Sequence, residues 1–108
     1  MTVKLINVFQ VFSEHEDEFL RRWQETTAVY ARTDGFIETH LHRNSGVGDQ
    51  MFQFVNIALW VSKSAFLDAH RRYVPGEESI PGLAFHPALF EEVIVTRNLL
   101  PRRSRENT

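Results

Sequence analysis

Residues 51–61, Met-Phe-Gln-Phe-Val-Asn-Ile-Ala-Leu-Trp-Val, read as one β-strand whose two faces are both largely apolar. Alternate residues of a strand point to opposite sides. Phe52, Phe54, Asn56, Ala58 and Trp60 therefore share one face, and Met51, Gln53, Val55, Ile57 and Leu59 share the other. An antiparallel sheet with one wet face alternates apolar with polar residues, so this strand needs a cover on each side. A chain of 108 residues is a single small domain. Its own helices are expected over one face and a second copy of the chain over the other, in a symmetric homodimer packed sheet on sheet.

The surrounding pattern supplies those helices. Residues 3–12 are rich in β-branched and aromatic types and form a first strand. Ser13-x-x-Glu16 has the form of a capping box, followed by acidic residues suited to a helix N-terminus. Phe19, Leu20, Trp23, Thr27 and Tyr30 then recur at helical spacing, giving a helix over about residues 14–32 that Asp34-Gly35 closes. Residues 36–44 form a second strand, joined to the third as an antiparallel hairpin through the turn cluster Asn44–Asp49. Ser62 or Ser64 caps a second helix over about 63–73, ended by Pro75-Gly76. Residues 80–89 are expected to hold a short helix limited by Pro81 and Pro87, and residues 90–98 a last strand in which Val93 and Val95 alternate. The order β-α-β-β-α-β with a short extra helix is a ferredoxin-like α+β arrangement, completed by dimerisation into an α/β barrel.

Composition narrows the function. There is no cysteine, which removes disulfides, zinc-thiolate sites and thiol nucleophiles, and the cytoplasm is the expected compartment. No apolar stretch is long enough for a signal or a membrane span. Residues 1–97 carry a net charge of −4 and residues 98–108 a net of +2, so nucleic acid is not an expected partner. The domain is placed at 1–99. Residues 100–108, with Arg102-Arg103-Ser104-Arg105, read as a basic, solvated tail.

Two amides interrupt the apolar strands. Asn7 stands in register with Val3, Leu5, Phe9 and Val11, and Asn56 stands between Phe54 and Ala58, with Trp60 on the same face. A buried amide without partners costs about 1–3 kcal/mol, so each needs internal partners or a polar ligand. Spacing alone leaves both readings open. Phe19, Trp23, Tyr30, Phe66 and Phe85 are expected to meet this face, together with Phe52 and Phe54, as the walls of a pocket for a flat aromatic molecule or as dry packing.

Val55-Asn56-Ile57-Ala58-Leu59-Trp60, the following Ser62-x-x-Ala65-Phe66, and Asp34-Gly35-Phe36 resemble the antibiotic biosynthesis monooxygenase family over roughly residues 3–97. Together with Leu5-Ile6-Asn7-Val8-Phe9, the match is most similar to the cofactor-independent anthrone oxygenases of aromatic polyketide pathways. The resemblance implies a dimeric ferredoxin-like barrel, no cofactor, a phenolic aromatic substrate with dioxygen, and a site at Asn7, Asn56 and Trp60. Actinorhodin-type relatives carry a Tyr at the place of Phe66, so that hydroxyl is missing here. Heme-degrading relatives share an Asn at the place of Asn7 but add a Trp where this chain has Ala69, and a His that does not match His70. Heme degradation is thus the weaker alternative. A non-catalytic dimer that binds a small aromatic molecule on the same fold is the other.

No general base is singled out among His15, His40, His42, His70 and His86. His40 and His42 share a strand face with Glu38, but no third ligand is placed, and no metal site is expected.

Overall fold

The computed structural model describes residues 1–72 and 80–101. Strand β1 (Val3–Gln10) leads through a 3-10 turn at Ser13–His15 into helix α1 (Glu16–Tyr30). Strands β2 (Phe36–Arg43) and β3 (Phe54–Trp60), helix α2 (Lys63–Arg72) and strand β4 (Ala84–Phe90) follow. The four strands form one antiparallel sheet in the order β2-β3-β1-β4. That order, with two crossover helices, is the ferredoxin-like α+β fold expected from the sequence. Among the described residues, no helix is long and apolar enough to cross a membrane.

Local chemistry explains most boundaries. Ser62 caps α2, its hydroxyl accepting the Ala65 amide at 3.1 Å. Asn44 closes the β2–β3 hairpin by donating to the carbonyls of Asp49 and Phe52 and accepting from Gly46. Gly35 has φ +87°, and a Cβ there would lie 2.5 Å from Ala65 Cβ, so glycine lets the chain turn into β2 directly against α2. The capping box is not formed: Ser13 belongs to the 3-10 turn, and neither helical segment here has a side-chain cap. Glu16 is instead ion-paired with Arg43 of β2.

The carboxy-terminal part departs from the sequence reading. Residues 80–83 form a turn, with Leu83 donating to the Ile80 carbonyl and Gly82 at φ +75°, and β4 follows at once. The short helix expected at 80–89 is absent. Pro81 marks the turn, and Pro87 sits in an edge strand, where a missing N–H costs little. Of the last strand expected at 90–98, only Phe90 is in a strand, as the end of β4, and residues 91–98 pair with no strand among the described residues. Val93, Ile94 and Leu99 are 87%, 81% and 97% exposed. The expected helix end at Pro75-Gly76 and the basic cluster at 102–105 lie outside the described residues.

The core lies on one side of the sheet and is split in two. Phe9, Val11, Phe19, Phe54 and Ile80 form one buried cluster, and Val3, Ala58, Trp60 and Ala69 form the other. Between them lies the register pair Asn7–Asn56. On the opposite sheet face, Ile6, Val8, Val55, Ile57 and Leu59 are only half-buried, with no described element laid over them.

Candidate functional site

The central strands carry the site. β1 and β3 pair so that Asn7 stands directly opposite Asn56, with Phe9–Phe54 on one side and Leu5–Ala58 and Val3–Trp60 on the other. Helix α1 crosses this face with Phe19 packed on the first aromatic pair, 4.9 Å from each ring, and Tyr30 edge-on to Trp60 at 5.8 Å. The middle of the helix, around Trp23 and Thr26, leaves a cavity of about 1300 Å³ over the two amides.

Eight of the residues expected from the sequence line that cavity: Asn7, Asn56, Trp60, Phe19, Trp23, Tyr30, Phe66 and Phe85. Phe52 and Phe54 do not. Phe54 is buried between Phe19 and the Arg43 guanidinium. Phe52 precedes β3, which begins two residues later, so strand alternation does not reach it; its ring meets His86 on the far side of the sheet.

The polar atoms are unevenly satisfied. Trp60 is 1% exposed and ringed by Tyr30, Phe36 and Phe66, all near-perpendicular to its indole at 5.3–5.8 Å. Among the described residues, its buried Nε1–H has no acceptor and the buried Asn7 Oδ1 has no donor. Asn56 is 8% exposed, and its Oδ1 accepts the Thr39 hydroxyl. Among the described residues, neither amide bonds the backbone. A buried N–H and a buried C=O left unmade are costly in a finished core, and both residues line the cavity. The arrangement offers hydrogen-bond donors and an acceptor inside an aromatic box, suited to a flat molecule with oxygen substituents.

Thr39 is the residue that sequence reasoning missed. A bulge between Phe36 and Glu38 inserts Ile37, so Phe36, Thr39, Leu41 and Arg43 face the helices while Glu38, His40 and His42 face away. Simple alternation from Phe36 would put Thr39 on the wrong side. Of the histidines, His70 alone lines the cavity, its ring stacked on Phe66 at 5.6 Å. His40 contacts Glu38 at 2.5 Å on the open face, and His86 stands in register with Val8 there, not over the pocket. Among the described residues, no group of three or more His, Cys, Asp or Glu is placed to hold a metal ion.

Residues 2–73 match the antibiotic biosynthesis monooxygenase family. The chain belongs to that family. Among solved structures it is similar to a candidate monooxygenase from Shewanella loihica PV-4, with 29% identity and a TM-score of 0.74 over 87% of this chain and 96% of that one. It is similar also to SnoaB, a cofactor-independent oxygenase from Streptomyces nogalater, with 27% identity and a TM-score of 0.62 over 94% and 98% of the two chains. The heme-degrader MhuD from Mycobacterium tuberculosis shares the fold at 21% identity and a TM-score of 0.65, over 87% of this chain and 98% of that one. No functionally curated protein matches the sequence.

Proposed function

We propose that this member of the family is a cofactor-independent monooxygenase that oxidises a phenolic, anthrone-like polycyclic substrate to a quinone with dioxygen. The observation that carries the reading is the pair of buried, unpaired atoms Trp60 Nε1 and Asn7 Oδ1 on one cavity with Asn56. The 27% identity to a cofactor-independent oxygenase supports it.

The chemistry asks little beyond charge stabilisation. Loss of a proton from the anthrone methylene gives an enolate conjugated with the phenol rings. That enolate passes one electron to dioxygen, and the resulting radical and superoxide join through a new carbon–oxygen bond. Protonation gives a hydroperoxide, which loses the remaining hydrogen on that carbon together with hydroxide, leaving a carbonyl and water. One oxygen atom enters the product and the other leaves as water, so the electrons balance without a further reductant. The protein's part is to hold negative charge. The Asn56 NH₂ group donates to the enolate oxygen as in an oxyanion hole, where one donor is worth about 3–4 kcal/mol. Asn7 fixes a substrate hydroxyl through Oδ1. The Trp60 N–H donates to the peroxide oxygen and cannot act as a base. In this reaction no side chain acts as the base: the methylene proton leaves to water.

The working unit in this reading is a homodimer. The open face with Ile6, Val8, Val55, Ile57 and Leu59, and the exposed side chains of Val93, Ile94, Val95, Leu99 and Leu100, support a second copy as their cover.

Oxygen uptake with dithranol as the anthrone, by protein treated with a chelator, tests the assignment. Turnover above the buffer rate is expected, with Asn56→Ala and Trp60→Phe slowed. No turnover above buffer would overturn the enzyme reading, and a stoichiometric Soret shift on heme titration would replace it with the heme alternative.

A further inference from the structure

Thr39 reaches the site only because of the β2 bulge, and it spends its hydroxyl there on one atom, Asn56 Oδ1. Its Cα stands opposite Ala58, two residue pairs along the sheet from the Leu41–Asn56 pair and on the same face, so the bond runs diagonally across the ladder. An asparagine amide is nearly symmetric in shape. Turning it by half a rotation exchanges a carbonyl for an NH₂ group at almost no steric cost, so only its bonding partners decide which end a ligand meets. We propose that Thr39 is a positioning residue for Asn56: the bond in which its hydroxyl donates to Oδ1 occupies the carbonyl and leaves the NH₂ group as the end of the amide that meets a ligand, as the proposed oxidation needs. This rests on the functional reading above, in which Asn56 stabilises the enolate oxygen. Strand bulges recur beside functional sites because they re-aim a side chain, and here the re-aimed side chain is Thr39.

Three substitutions test the role. Thr39→Val keeps the shape and removes the hydroxyl; Thr39→Ser restores the hydroxyl and removes the methyl group. With dithranol, Thr39→Val is expected to lower kcat by about tenfold or more while KM moves less than about threefold, and Thr39→Ser to recover most of the loss. Combined with Asn56→Ala, Thr39→Val is expected to add nothing further, since the two act through one amide. A ligand-free readout reports the bond itself: the Asn56 side-chain carbonyl carbon resonance is expected to move upfield in Thr39→Val and to return in Thr39→Ser. Equal kcat for wild type and Thr39→Val, or an unmoved Asn56 resonance, would overturn the positioning role while leaving the enzyme reading intact. Absence of wild-type turnover would overturn the enzyme reading, and the positioning role in catalysis with it, whatever the resonance does.

Discussion

Trp60 combines two demands that rarely meet in one side chain. It is among the most deeply buried of the described residues, ringed by three aromatic side chains, yet its indole N–H has no partner among those residues. Packing and chemistry can be separated by substitution. Trp60→Ala empties a large core volume and is expected to cost about 3–5 kcal/mol in urea unfolding. Trp60→Phe keeps most of the packing, and is expected to slow dithranol oxidation by about tenfold or more with a much smaller loss of stability. Asn56→Ala is expected to slow it by about 10²–10³-fold, the cost of one oxyanion donor. Equal oxidation rates for wild type, Trp60→Phe and Asn56→Ala would remove these residues from the site. Asn7 and Asn56 stand out in the sequence because a polar group inside an apolar strand needs a reason, and Trp60 because it shares the face of Asn56 and the family motif. Thr39 was not, because its facing depends on Ile37 bulging out of the ladder, and a threonine in an exposed-looking strand carries no such signal.

At the scale of elements, β1, α1, β2, β3 and α2 follow from period and punctuation, whereas β4 does not. Its sequence, Ala-Phe-His-Pro-Ala-Leu-Phe, contains a proline, and the more regular alternation lies further on at Val93 and Val95. What decides the matter is register: Phe85, Pro87 and Leu89 stand opposite Phe9, Asn7 and Leu5, extending the cavity face onto the edge strand. The turn before β4 is a sensitive point, because Gly82 has a positive φ and the Phe12 ring lies where a Cβ would go. Gly82→Ala is therefore expected to destabilise the fold by about 1–3 kcal/mol in urea unfolding. An unchanged midpoint would mean that the turn does not tie β4 to the core. Helix α1 is anchored at Phe19, and Phe19→Ala is expected to cost about 3–5 kcal/mol, separating the helix from the Phe9–Phe54 pair.

For the whole molecule, the two-faced third strand was the sequence's strongest constraint, and it applies with equal force to the folded chain. One face of β3 is buried under the helices, and the other presents Val55, Ile57 and Leu59 to no described element. The homodimer proposed to cover it predicts a light-scattering mass near twice the 12.6 kDa of one chain. Ile57→Asp on the open face and Ile94→Asp on the exposed run are each expected to bring it toward one chain; a wild-type mass of a single chain would refute the dimer. The aromatic content divides along the same plane. Trp60, Phe66, Phe19 and Phe85 line the cavity, while Phe54 is core and Phe52 meets His86 on the far side of the sheet. In the proposed reaction this cavity activates dioxygen toward a phenolic substrate with the chain's own side chains. Mass spectrometry of the quinone formed from dithranol under ¹⁸O₂ by chelator-treated protein tests it most directly. One labelled oxygen atom in the product, at a rate that falls in Asn56→Ala, is the expected result; a product without label, or one formed no faster than in buffer, would contradict it.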